Sequence, residues 1–238
     1  MKKLFYALRG IKTLFYVYVP ITLITLVVVV MTLAKDLDIS LFIRDMATVA
    51  NVNPFYGMLS IIGIIFWFAT AIICLFGVTL IRHDSSHDST QLLINVGLIS
   101  LIMGTDDLFL FHEVVFPHYL HLFGEKVIML MYGVVILGTL YRFRSIIKTT
   151  NWGILLLAGG LLALSILIDR LPEAWAGDWS YFYEDAPKLF GIVTWFVYWA
   201  NFTRETIMHV LGHSQADVSV ALKSNDDYAS RSASQQTI

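Results

Sequence analysis

Asp106, Asp107, His112 and Glu113 fall within ten residues of one another in an otherwise apolar run, GTDDLFLFHE at 104–113. Three carboxylates and an imidazole so close together hold divalent cations, pass protons or activate water. In hydrocarbon each charge costs roughly 3 to over 10 kcal/mol, so these groups must be paired, protonated or metal-bound. On a continuous helix Asp106 and Glu113, seven residues apart, share a face, with Asp107 and His112 on its two flanks.

The elements that must position these residues are apolar helices. The chain has 238 residues, 57% hydrophobic and only 14% charged, far from the balance of a soluble domain. A bilayer core needs about 20 apolar residues per helix. Six runs approach that length, at 13–34, 55–81, 91–116, 126–140, 152–168 and 186–202. The expected fold is therefore all-α, a polytopic membrane bundle of six transmembrane helices. Residues 1–213 form the membrane domain, and 214–238, which lack apolar periodicity, form a disordered cytoplasmic tail. The basic start MKKLFYALRGIK followed by an apolar run resembles a signal peptide, but the run is long, contains Pro20 and lacks a small-residue cleavage site. It is read as a retained first span.

Lys and Arg set the orientation. Eleven of the sixteen (Lys2, Lys3, Arg9, Lys12, Arg82, Arg142, Arg144, Lys148, Arg204, Lys223 and Arg231) fall on one side of this topology. Lys35, Arg44, Lys126, Arg170 and Lys188 fall on the other. The positive-inside rule then makes both termini cytoplasmic. A multi-pass protein of a cell membrane follows, in a bacterium the inner membrane.

With this topology the polar residues converge at one level. Asp106 lies about 22 Å up the third span from Gln91 at 1.5 Å per residue. The fifth span ends at Ser165 and Asp169, the sixth begins at Glu184, Asp185 and Lys188, and Ser60 stands near the outer end of the second. His118, His121 and Glu125 lie in the connection between the third and fourth. The inner halves of the spans are nearly free of ionisable groups. Six acids thus face two fixed cations, Arg170 and Lys188, and such crowding is relieved by shared protons or a bound cation. Asp106, His112, Glu113, Asp169, Glu184 and Asp185 are the candidate ligands of a divalent metal, zinc or iron, and Asp107, Glu113 and Lys188 the candidate catalytic groups. Pairing of Glu184 with Lys188 and of Asp169 with Arg170 would neutralise part of the excess.

Several features carry plainer explanations. Asp185 and Pro187 read as the N-cap and first turn of the sixth helix. His83 and His87 read as a solvated turn, and His209 and His213 as a pair without an acid partner other than Glu205. Trp67, Trp175, Trp179, Trp195 and Trp199 read as interface belt and packing residues, and the segment at 171–183 as an interfacial lid. Cys74 is the only cysteine, which excludes an intramolecular disulfide. No phosphate loop, nucleophile elbow or basic aromatic patch is present, which leaves no case for a nucleic-acid partner.

Three functions follow in order. The first is a metal-dependent membrane enzyme, a hydrolase or oxidoreductase acting on a lipid-like substrate through a site in the outer half of the bundle. The second is a proton- or cation-coupled carrier, for which an inverted three-plus-three repeat, with DDLFLF after the Ser60 span answering EDAPKLF after the Ser165 span, would supply the symmetry. The third is a structural bundle supporting partner membrane subunits.

Overall fold

The computed structural model describes residues 2–81, 87–122, 124–171 and 179–235, with side chains described between 18 and 212 of those ranges. Every regular element among the described residues is helical. The chain divides into two compact units, Met1–Tyr56 and Gly57–Ile238.

In the first unit, α1 (Lys2–Lys35) carries a largely aliphatic stretch beyond Pro20, free of charged residues until Lys35. Two short helices follow, α2 (Ser40–Ile43) and α3 (Met46–Ala50). Asp45 caps α3: its carboxylate accepts from the Thr48 hydroxyl at 2.6 Å and the Thr48 backbone N–H at 2.8 Å. Those two bonds hold the Asp45 carboxyl below the usual carboxylate range.

The second unit contains α4 (Met58–Ile81), α5 (His87–Phe109), a π-helix (Phe111–Tyr119), α6 (Glu125–Arg142), α7 (Arg144–Ile147), α8 (Trp152–Asp169) and α9 (Trp179–Gln235). Helix α4 packs between α5 and α9, α9 packs in turn against α8, and α6 lies against α5 and the π-helix. Close approaches set the directions. On α5, Gly97 meets Leu75 and Gly104 meets Trp67, so α4 and α5 run antiparallel. On α4, Gly63 meets Ile192 and Gly77 meets Thr203, so α4 and α9 run parallel. A Cβ on Gly191 would stand 2.8 Å from Leu162 Cγ and 3.1 Å from the Leu162 backbone nitrogen, which makes α8 and α9 touch almost backbone to backbone.

The core is aromatic. Trp67, Trp195, Trp199, Tyr198 and Phe202 are all buried, with edge-on ring contacts from Trp67 to Trp195 (6.1 Å), Trp195 to Trp199 (5.5 Å) and Trp199 to Phe202 (5.6 Å). Of the tryptophans read as belt and packing residues, Trp67, Trp195 and Trp199 are packing and fill the bundle interior; Trp179 is exposed, and Trp175 lies outside the described residues. Cys74 is fully buried in the same core.

Among the described residues, four helices are long and apolar enough to cross a membrane: Tyr18–Lys35, Met58–Ile81, His87–Phe109 and Trp152–Asp169. The expected fourth and sixth spans fall on α6 and within α9. Helix α6 carries Glu125, Lys126 and Arg142 at its ends, and α9 carries Glu184, Asp185 and Lys188 in its first turns. Helix α9 also starts earlier than expected, which moves Asp185 and Pro187 from a cap to the helix interior. Its backbone is helical to Gln235, through residues expected to form a disordered tail.

Candidate functional site

The third span is not one continuous helix. Helix α5 stops at Phe109, and Leu110 takes the left-handed conformation at φ 54°, ψ 43°. The chain then continues as the π-helix, opened by bonds from the Val114 and Val115 N–H groups to the Leu110 carbonyl, at 2.8 and 3.2 Å. A left-handed leucine costs about 1–2 kcal/mol, and π-helical turns gather at functional sites. The gain here is positional. In an unbroken helix residues 106 and 112 would project about 240° apart, on different faces. The break folds His112 back over Asp106.

Asp106 is buried to 1% exposure, a charge-bearing group taken out of solvent. Three donors surround it. Its Oδ1 accepts from the His112 backbone N–H at 2.9 Å and the Tyr132 hydroxyl at 3.0 Å, while Oδ2 faces His112 Nδ1. On the far side of the imidazole, Nε2 lies 3.4 Å from Glu113 Oε1, whose side chain is half exposed. Asp107 turns the other way around α5. It accepts from Lys188 Nζ at 3.1 Å and from Trp67 Nε1 at 3.0 Å, and its side chain is 7% exposed. The carboxylates therefore serve two separate systems, Tyr132–Asp106–His112–Glu113 and Trp67–Asp107–Lys188.

These systems share a pocket of about 190 Å3 at one end of the bundle. Because α4 and α9 begin at that end while α5 and α8 finish there, the pocket collects Asp107, His112, Glu113, Ser165, Asp169, Glu184 and Lys188. Arg170, which pairs with Asp169 at 3.5 Å, also lines it, as does Glu125 from α6. Asp185 faces a smaller adjoining cavity with Ser60, Asp107 and Lys188. The expected convergence of acids from the third, fifth and sixth spans is thus present. Lys188 reaches across to Asp107 and makes no ion pair with Glu184, one turn away on its own helix, because Asp107 is the more deeply buried carboxylate and has greater need of a cation. His118 and His121, expected beside the acids, are exposed and do not line the pocket. His83 lies outside the described residues, His87 opens α5, and of the 209/213 pair the His213 side chain lies outside the described set. Of the expected lid, 172–178 lie outside it too.

Two site residues escaped the sequence reading. Tyr132 in α6 and Trp67 in α4 look like ordinary aromatic packing, yet each donates to a buried aspartate. The signal was indirect: a carboxylate inside an apolar bundle requires donors, and Tyr and Trp are the aromatic residues that can supply them. Among the described residues, no three His, Cys, Asp or Glu side chains stand close enough together to share a metal ion.

These features define an all-helical protein with, among the described residues, four helices long and apolar enough to cross a membrane and a polar pocket at one end of its bundle. The chain belongs to the family described as Domain of unknown function (DUF8692), which it matches over residues 19–202. No curated protein and no solved structure matches it.

Proposed function

We propose that the chain is a six-span protein of a cell membrane, in a bacterium the inner membrane, with both termini cytoplasmic and 214–238 as a cytoplasmic tail. Exposed aliphatic faces support this reading, with Ile72 at 66%, Leu130 at 68% and Leu156 at 65% on α4, α6 and α8. Its pocket is the active site of a membrane enzyme, a hydrolase acting on a lipid-like substrate, opening toward the outer leaflet.

The observation that carries this is the orientation of His112. Asp106 takes Nδ1, and a carboxylate there fixes the tautomer and leaves Nε2 as the nitrogen that exchanges protons with the pocket. Water entering beside Nε2 takes the place of Glu113. His112 then accepts its proton as the water oxygen bonds to the substrate carbonyl or phosphoryl centre, and returns a proton to the leaving group. Lys188, held by Asp107, is the cation beside the developing negative charge. The test is incubation of purified protein with a total polar lipid extract and mass spectrometry of the products. A product made by wild type and lost in His112→Ala supports the reading; no product from either ends it.

A second reading has the same root. A metal-binding histidine ordinarily gives its other ring nitrogen to a carboxylate, as His112 does to Asp106. A zinc or iron ion would then sit on Nε2 and Glu113, completed by Asp169 or Glu184 after movement of α8 or α9, while Asp106 orients the imidazole. Stoichiometric metal in purified wild type, lost in Glu113→Ala and kept in Asp107→Asn, would favour it. Proton or cation flux in proteoliposomes would instead favour a carrier.

A further inference from the structure

The polar pocket has a neighbour. Met103, Tyr132 and Ile136 line it and also line a second cavity of about 280 Å3 between α5, α6 and the π-helix. Ile99 and Ile128 form the buried floor of that cavity, and Ile102, Met131 and Val135, each about half exposed, form its rim. All its lining side chains are Ile, Met, Val, Phe or Tyr, so the Tyr132 hydroxyl is their single oxygen. That hydroxyl donates to Asp106. Tyr132 therefore marks the boundary, its ring walling an apolar groove and its oxygen turned to the acidic side. The groove offers nothing to a polar group, and its exposed rim opens on the flank of the bundle.

The charge of the adjoining pocket selects the head of any molecule lying across both. Asp107, Glu113, Glu125, Asp169 and Glu184 line it against Arg170, Lys188 and the His112 imidazole, which face Asp169, Asp107 and Glu113 in turn. Glu125 and Glu184 remain in excess over these pairs, so a permanently anionic head would add to a surplus of negative charge. An ammonium head is matched.

We propose that pocket and groove form one site for a single-chain amphiphile with a cationic amine head. The alkyl chain lies in the groove between α5 and α6, and the head lies among Glu113, Glu125 and Glu184. This names the substrate class of the enzyme reading above, with the chain joined to the amine-bearing head through an ester or amide that water cleaves, and rests on it for the chemistry, but binding is separable from turnover. Because the bilayer dissolves an alkyl chain as well as the groove does, the head supplies the selectivity and the groove the position.

The test uses detergent-purified full-length protein and two photoactivatable probes, dodecylamine and dodecyl sulfate, each with a mid-chain diazirine. The amine labels peptides around Ile102, Met131 and Val135, plain dodecylamine competes for that labelling, and the sulfate labels about tenfold less. Val135→Trp and Ile102→Trp, either of which fills the groove from its rim, abolish the competed labelling, while Leu156→Trp on the exposed face of α8 leaves it intact. Equal labelling by the sulfate, or labelling spread over the exposed helix faces and insensitive to both groove variants, overturns the proposal. Wild-type labelling and wild-type turnover separate the two readings: labelling without any turnover sinks the enzyme and leaves the amphiphile site, and turnover without labelling does the reverse.

Discussion

His112 meets Asp106 twice, through its backbone N–H to Oδ1 at 2.9 Å and through its ring Nδ1 to Oδ2. One aspartate thus fixes both where the chain re-enters after α5 and which way the imidazole faces. Asp106→Ala leaves the His112 N–H and the Tyr132 hydroxyl without their acceptor, and thermal unfolding in detergent should show a loss of about 3–5 kcal/mol. Asp106→Asn should keep its oxygen on the His112 N–H and the Tyr132 hydroxyl, which points the amide N–H₂ at Nδ1 and reverses the tautomer. That variant stays folded, with a loss of about 1–3 kcal/mol, and loses product formation. An Asn variant as active as wild type would remove His112 from the chemistry.

Leu110 is the joint between α5 and the π-helix, and its left-handed backbone is what a β-branched residue tolerates least. Leu110→Val should destabilise by about 1–2 kcal/mol and reduce activity with it, whereas Leu110→Gly, which adopts φ 54° freely, should stay within about 1 kcal/mol of wild type. Equal effects from Val and Gly would show that the loss comes from the missing leucine side chain, which is 43% exposed.

This joint also separates what the sequence reveals from what it hides. The polar end of the bundle was legible because Asp106, Asp169 and Glu184 interrupt apolar runs at matching depths, and alternating helix directions bring those depths together. The break at Leu110 was hidden, since LFLF at 108–111 has no Gly, Pro or Asn to mark a left-handed residue, and Pro117 comes seven residues later. Missing it led to a helical face for His112 that the chain does not have. Proximity in sequence misled for His118 and His121, which are exposed and do not line the pocket. Partners contributed by distant helices, Tyr132 to Asp106 and Trp67 to Asp107, follow from tertiary packing that periodicity does not encode.

Lys188 and Asp107 should behave as one unit. Lys188→Met strands a carboxylate that is 7% exposed with only the Trp67 indole as donor, for a loss of about 3 kcal/mol. Asp107→Asn alone frees Lys188, which is 36% exposed and reaches solvent, so its cost is smaller. In the double variant the stranded charge is gone, and the two losses should sum to more than the measured total by about 1–3 kcal/mol. Strict additivity would mean that the pair contributes nothing to folding.

The approach of α8 to α9 at Gly191 is sensitive to a single methyl group. Gly191→Ala places a carbon 2.8 Å from Leu162 Cγ and 3.1 Å from the Leu162 backbone nitrogen. The side chain can yield but the backbone cannot, so the expected cost is about 1–3 kcal/mol. Leu162→Ala relieves only the first clash and should rescue the Gly191→Ala variant in part. Full rescue would show that α8 shifts, and with it Ser165 and Asp169, which line the pocket one to two turns further along the same helix.

Orientation is testable without reference to any reaction. In a Cys74→Ser background, the six-span topology requires a cysteine at Asn53 to react with a membrane-impermeant maleimide from outside intact cells. One at Thr149, between α7 and α8, should react only after permeabilisation. Cys74 is buried and accepts from the Thr203 hydroxyl at 3.9 Å, so the serine hydroxyl that replaces it has a partner within the core. The same labelling decides which leaflet the pocket opens to, because Glu125 and Arg170 line it from the end of the bundle opposite Thr149. Labelling of Thr149→Cys in intact cells would invert the protein and turn the acidic pocket toward the cytoplasm. The basic residues Arg142, Arg144 and Lys148 would then face outward against the positive-inside rule.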